Sequence, residues 1–309
     1  MNNFRFSPVV VSDEVSSALR EGRGVVALET TIVVQGLPSP INLDVARECE
    51  ASVRKGSATP ATIGLLNGRV VVGLSEAELE ALTDPDRHAA KLSSRDLGVA
   101  LAAGTDGATT VAATITIAHR LGICVMATGG LGGVHRDASE SFDESADLMA
   151  LARTPVLVVA SGVKSILDIA ATLERLDTLG VPIIGYGTRQ FPGFYLRDSG
   201  YSLEWSVASA EEAAAAFLRH RELSPTGFLV ANPVAADREL DRRVHDEALD
   251  SALAKAQREG LSGKDVTPAL LGEFAHHTKG VSVQVNRDLV VANAALAGEI
   301  ASAVALALA

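Results

Sequence analysis

The chain has 309 residues, 47% hydrophobic and 21% charged, a length that buries most of its unfolded surface without a disulfide or metal staple. Its formal net charge of −11, with no local basic stripe, speaks against nucleic acid as a partner but leaves open a small anionic substrate held by local cations or helix N-termini. Two isolated cysteines, Cys49 and Cys124, give neither a disulfide framework nor a zinc spacing and read as buried inert thiols.

Met1–Val10 lacks a basic segment followed by a long apolar stretch, and no apolar run reaches transmembrane length. The expectation is a soluble, cytoplasmic protein without a membrane partner. Val25–Val33 is a β-branched run predicting a strand, and Asp44–Arg54 follows with helical spacing. Ala61–Leu65 and Val70–Val72 read as short strands around the turn signal Asn67-Gly68. Glu76–Leu82 predicts a short helix, Thr109–Leu121 a longer one, and Ile123–Ala127 a strand. Pro155–Ala160 reads as a buried strand. The helix after it spans Ser165–Leu179, opened by Ser165 and Asp168 in a capping-box pattern. Val181–Tyr186 and Gly227–Ala231 are predicted strands around the helix Glu211–Arg221. Three helices close the chain: His245–Glu259, Pro268–His276 and Leu289–Leu308. This alternation predicts an α/β fold, a three-layer α/β/α arrangement with a largely parallel central sheet, over residues 1–309 as a single domain. The segment Gln190–Glu204, rich in glycine, proline and aromatics, reads as an insertion over a pocket.

Sites in open α/β sheets form at the carboxyl ends of strands. Glu29 sits inside an apolar run, where an unpaired carboxylate is costly to bury. It is either an acid/base group or a solvent-facing residue of an edge strand. The stretch Thr128-Gly129-Gly130-Leu131-Gly132-Gly133-Val134-His135-Arg136 is neither a dinucleotide fingerprint nor a P-loop. Its glycines either allow close backbone approach to a ligand, with His135 and Arg136 supplying polar groups, or make a flexible connector. Asp143 and Asp147 are four apart and would share a helix face. They are a solvated acidic face or oxygen ligands for a hard cation such as Mg²⁺ or Mn²⁺. Lys164 falls between a strand and a predicted helix N-terminus, where the helix dipole disfavours the ammonium form. That is the setting of a Schiff-base lysine, unless Lys164 is a surface group. Lys91 and the helix start Gly107-Ala108-Thr109-Thr110-Val111 offer a cation and free amides for an anion, or are an ordinary surface lysine and helix start.

With these residues in view, the sequence resembles the pseudouridine-5′-phosphate glycosidase family, also called indigoidine synthase A-like. The resemblance runs from about Ser7 to Ala301. It rests on Val26–Ile32, Gly107–Ala112, Ala127–Arg136, Phe142–Leu148, Gly162–Asp168 and Val230-Ala231-Asn232-Pro233. It implies an α/β/α fold, a homotrimer and a divalent metal, usually manganese. It implies Lys164 as the Schiff-base lysine, Glu29 as the proton-transferring carboxylate and Asp143 as metal ligand. Lys91, Val111, Ser145 and Asp147 are implied to meet the substrate, with Asn286 in the pocket; Thr110 and His135 join them as candidate substrate contacts from the helix start and the glycine-rich stretch. The reaction implied is reversible cleavage or formation of a carbon–carbon glycosidic bond between C1 of ribose 5-phosphate and uracil. A carbon leaving atom fits the carboxylate-pair mechanism of ordinary glycosidases badly, whereas an imine to ring-opened sugar supplies an electron sink.

The sequence departs from the family where its usual histidine is Gln35, at Arg95-Asp96-Leu97-Gly98, at Thr278-Lys279-Gly280 and at Asn286-Arg287-Asp288. These segments are expected to meet the aglycone. A C-glycosynthase joining ribose 5-phosphate to a non-uracil aromatic is therefore the second reading, favoured by an apolar, roomy aglycone side. A non-catalytic ribose-phosphate-binding protein is a third, opposed by the joint presence of Lys164, Glu29 and Asp143.

Overall fold

The computed structural model describes residues 8–260 and 266–309. Ser7, where the resemblance begins, and most of the Met1–Val10 segment lie outside the described residues. Eleven strands form one mixed sheet: β1 (Val9–Val11), β2 (Val25–Leu28), β3 (Thr59–Leu66), β4 (Arg69–Val72), β5 (Ala90–Leu92), β6 (Gly107–Thr109), β7 (Val125–Ala127), β8 (Leu157–Ala160), β9 (Ile183–Tyr186), β10 (Ser206–Val207) and β11 (Phe228–Ala231). The main order is β1-β4-β3-β2-β7-β8-β11-β9-β10, with β6 pairing β3 and β5. Pairing is parallel except between β3 and β4 and between β3 and β6. Strands β2, β8 and β11 are buried along their whole length, which is why they read as continuous apolar runs rather than alternating ones. The hairpin of β3 and β4 turns at Asn67-Gly68, both at positive φ, as the sequence signal requires.

Helices cover the faces of this sheet: α1 (Asp13–Arg20), α2 (Ile41–Lys55), α3 (Glu76–Thr83), α4 (Leu97–Ala103), α5 (Val111–Arg120), α6 (Ala138–Ser141), α7 (Ala146–Leu151), α8 (Ile169–Thr178), α9 (Ala210–Leu223), α10 (Arg242–Glu259), α11 (Val266–His277) and α12 (Val281–Leu308). The last helix starts eight residues before its predicted beginning, Leu289, and carries Asn286 inside it. It is long and apolar enough to cross a membrane by length and composition, contrary to the sequence expectation. Here it is a core helix: Leu289, Val290, Ala294, Ala297 and Ile300 are buried as it packs on β2, β7 and β8 between α2 and α9.

Three further boundaries, all near the carboxyl ends of the strands, differ from the sequence reading. The run Val25–Val33 is a strand only to Leu28. It then folds into a π-helical turn over Ile32–Gly36, a form common near functional sites. The change is made by tertiary bonds. Thr30 donates its hydroxyl to the carbonyl of Ile63 at 2.8 Å, and Asn42 Nδ2 donates to the carbonyl of Val33 at 2.8 Å. Helix α8 begins at Ile169, capped by Asp168, whose carboxylate accepts from Ala171 N. Ser165 is not part of it, because its hydroxyl is drawn to the carbonyl of Gly193 at 2.7 Å. Gly107–Thr109 forms β6, so the predicted helix from Thr109 starts at Val111. Cys49 is buried as expected, whereas Cys124 is only half-buried; burial pushes both thiols up, consistent with inert thiols.

Candidate active site

The carboxyl ends of β2, β7 and β8 carry the residues singled out in the sequence. Glu29 follows β2, a central strand between β3 and β7, and is 7% exposed. The edge-strand alternative is thereby excluded. Its buried carboxylate is fully engaged: Thr128 donates its hydroxyl to Oε1 and Thr31 to Oε2. Neither threonine was singled out as a partner of Glu29. Thr31 is its neighbour in sequence, but Thr128 is 99 residues away and no local pattern couples it to Glu29.

Thr128 is itself fixed from α12. Asn293 is fully buried, and its Nδ2 donates to the Thr128 carbonyl at 2.8 Å and to Ser161 Oγ at 3.1 Å. Its Oδ1 accepts from Asn232 Nδ2 at 2.9 Å. One carboxamide thus ties the ends of β7, β8 and β11 together. Asn293→Leu leaves several buried polar groups unpaired and is expected to lower unfolding stability by about 2–4 kcal/mol, read from urea denaturation at unchanged m-value.

The glycine-rich segment is a packed turn, not a flexible connector. Leu131 is fully buried and bridges Val163 in parallel fashion. A Cβ on Gly132 would stand 2.2 Å from Ser145 Oγ and 2.7 Å from Asp147 Oδ2. The glycines therefore serve close approach of neighbouring segments. His135 remains beside the cleft, whereas Arg136 turns away and donates to the carbonyls of Ile166 and Ser165, bracing the Lys164 segment.

Lys164 is held from both sides. Its amide donates to the Leu131 carbonyl at 3.2 Å, and Gly162, at φ 78°, abuts Pro192 so closely that a Cβ would lie 2.1 Å from its carbonyl oxygen. Gly162 also bridges Gly193. The predicted loop Gln190–Glu204 thus clamps the lysine segment and sends Phe194 into the cleft wall, in left-handed conformation at φ 66°, the kind of local strain that collects at functional sites. The helix-dipole argument for Lys164 is not met, since α8 starts five residues after it.

Asp143 and Asp147 do not share a helix face, because Asp143 precedes α7 and Asp147 lies in its first turn. The Asp147 carboxylate is 5% exposed. It accepts from Ala112 N at 2.8 Å and Gly132 N at 3.0 Å. It therefore occupies part of the α5 N-terminus that sequence reasoning offered to a substrate anion. Thr110 caps α5 by accepting from Ala113 N, and Ser145 caps α7 by accepting from Asp147 N.

These residues enclose one cleft with two lobes that share Glu29, Thr31, Lys91 and Lys164. The larger, about 980 Å³, is polar and is walled by Ser93, Arg95, Thr110, Val111, His135, Asp143, Ser145 and Asp147. The smaller, about 470 Å³, is walled by Ile32, Gln35, Gly130, Phe194, Leu271 and Asn286. Sequence reasoning passed over Ser93 as a site residue, and it placed the Arg95–Gly98 segment on the aglycone side, whereas Arg95 lines the larger lobe and not the smaller one. A cation three residues past a strand that ends at the cleft was the available signal. For a metal, Asp143 is the available carboxylate, with His135 Nε2 at 3.9 Å from its Oδ2, and Glu144 is paired to Arg175. No cluster of three or more His, Cys, Asp or Glu residues suited to a metal occurs among the described residues. The donor set fits a hard ion that keeps most of its waters and is bound by one or two carboxylates together with substrate oxygens.

A family profile described as "Indigoidine synthase A like protein" matches residues 14–303. A pseudouridine-5′-phosphate glycosidase of Salinispora tropica is 57% identical over 292 residues, covering 94% of this chain and 90% of the relative. One of Streptomyces griseus is 53% identical, covering 96% and 92%. Among solved structures, the prealnumycin C-glycosynthase AlnA in complex with ribulose 5-phosphate superposes with a TM-score of 0.89 at 37% identity, covering 97% of this chain and 98% of that one. An indigoidine synthase A-like protein of Thermotoga maritima gives 0.87 at 36%, covering 98% and 99%.

Proposed function

The chain belongs to the indigoidine synthase A-like family, and from that premise we propose that it cleaves, and in reverse forms, the carbon–carbon bond between C1 of ribose 5-phosphate and uracil. The observation that carries this reading is the junction of the two lobes, where a lysine and a buried carboxylate line the same space. The polar lobe, with Lys91, Arg95, Thr110, Val111, His135 and Ser145, suits a sugar phosphate. Asp147 serves here mainly by holding Gly132 and the α5 N-terminus in place. The smaller lobe suits a flat ring. The second reading, a non-uracil aromatic acceptor, calls for an apolar and roomy lobe. Gln35 and Asn286 in the smaller lobe favour a polar heterocycle instead.

The chemistry follows from the two groups. The Lys164 amine bonds to C1 as the ribose ring opens, and the ring oxygen leaves with a proton. The nitrogen lone pair then forms the C1=N bond as the C1–carbon bond breaks. That bond's electron pair goes to the base carbon, which takes a proton from Glu29. Water hydrolyses the imine, releasing ribose 5-phosphate and freeing Lys164. Release of free uracil from pseudouridine 5′-phosphate, followed by ultraviolet absorbance, tests the assignment; no release at enzyme-level concentrations overturns it.

A divalent cation, manganese by family resemblance, is part of the proposal. Asp143 would hold it and His135 would flank it, and it would supply a positive charge that orients substrate oxygens. Chelation is expected to abolish turnover and Mn²⁺ to restore it, whereas full activity in metal-free Asp143→Ala would sink the idea. The homotrimer is carried by the resemblance alone, and the cytoplasmic location by the sequence expectation alone.

A further inference from the structure

The smaller lobe contains two carboxamide oxygens that no hydrogen bond satisfies. Gln35 donates its Nε2 to the carbonyl of Ala89 at 3.0 Å. That bond fixes which end of the amide is which, and it leaves Oε1 buried without a partner. Asn286, 4% exposed, likewise has a buried and unpartnered Oδ1. Buried acceptors without donors are uncommon in folded proteins and call for a reason. The adjoining side chains of Ile32, Phe194 and Leu271 have no hydrogen to donate. The hydroxyls of Thr31 and Thr128 in the same lobe are committed to Glu29, and neither lysine of the lobe bonds these two oxygens, so a donor carried by the ligand would satisfy them.

We propose that Gln35 is a specificity residue: its Oε1 accepts a hydrogen bond from a ring N–H of the base. The lobe therefore takes a lactam or imide ring with free N–H groups and rejects an N-alkylated ring or a hydrocarbon. The inference rests on the C-glycosidic reading of the cleft and deepens it. A pyrimidine linked to sugar through carbon keeps both ring N–H groups, whereas its N-linked isomer has given one up. Two ring donors match the two unpartnered acceptors in the lobe. Gln35 is well placed for such a role. It sits in the π-helical turn directly after β2, so its backbone is tied to the strand that delivers Glu29. A substrate lacking the N–H would leave Oε1 unpaired in the complex, and loss of a partner for a buried acceptor is what discriminates strongly between otherwise similar ligands.

The test compares kcat/KM for pseudouridine 5′-phosphate with its N1-methyl and N3-methyl analogues. The wild-type enzyme is expected to prefer the unmethylated substrate over at least one analogue by about 10–100-fold. Gln35→Met is expected to lose that preference, and Gln35→Glu, which keeps acceptor oxygens, to retain it. Equal cleavage of all three substrates by the wild-type enzyme overturns the inference without need of any variant. So does a preference undiminished in Gln35→Met. Borohydride trapping of ribose 5-phosphate in the same preparations reports separately on the sugar half and on folding. Failure of the wild-type enzyme to cleave the unmethylated substrate overturns the assigned reaction, and this inference with it; cleavage with the wrong ratios overturns this inference alone.

Discussion

Borohydride added to the enzyme and ribose 5-phosphate is expected to raise the intact mass by one reduced sugar phosphate. The adduct is expected to disappear in Lys164→Ala, with turnover falling by about 10⁴–10⁶-fold, the scale of losing a covalent nucleophile. The reasoning starts from how the backbone is pinned. The Lys164 amide bonds Leu131, Ser165 bonds Gly193, and Arg136 holds the carbonyls of Ser165 and Ile166. These bonds give the lysine a fixed origin, and its side chain lines both lobes of the cleft. Fixing a reactive group in this way converts a bimolecular encounter into an intramolecular one. A second lysine, Lys91, lines the same junction, so the variant is a real discriminator. An adduct that persists in Lys164→Ala would move the imine to Lys91 and refute the assignment.

The layers of the fold were legible because they are written in local periodicity. The fully buried strands β2, β8 and β11 appear in the sequence as unbroken apolar runs bounded by turn residues. What stayed hidden depends on contacts distant in sequence. Nothing near Ile32 announces a π-helical turn, since the bonds that shape it come from Ile63 and Asn42. Ser165 has the local signature of a helix cap, and only the arrival of Gly193 takes its hydroxyl away. The site shows the same division. Glu29 stood out as a carboxylate inside an apolar run, Lys164 by its place just after a strand, and Lys91 as a cation that could meet an anion. Asp143 and Asp147 were paired wrongly, because helical spacing was assumed where the chain is still extended. Asn293 was missed altogether: an asparagine in an apolar helix carries no local mark of the Thr128 carbonyl it must reach.

Glu29→Gln is expected to leave the borohydride-trapped sugar adduct intact while lowering turnover by about 10²–10⁴-fold, the usual worth of general acid–base help. Imine formation needs the Lys164 amine, an aldehyde and proton shuttling by water. The carbon–carbon step also needs a proton delivered to a carbon of the base, and glutamine cannot deliver it. Glutamine nearly matches glutamate in shape, and its Oε1 can still accept one of the two threonine hydroxyls that now meet the carboxylate. At the other oxygen it places an NH₂ against a hydroxyl that can rotate to accept. The substitution therefore removes the proton while preserving the neighbourhood, which a change to alanine would not. Turnover and trapping are measured on one preparation, so a folding defect would lower both together. Adduct without turnover is the expected outcome. Near-normal turnover would mean that another group protonates the base carbon. His135, in the polar lobe 3.9 Å from Asp143, is then the first residue to replace.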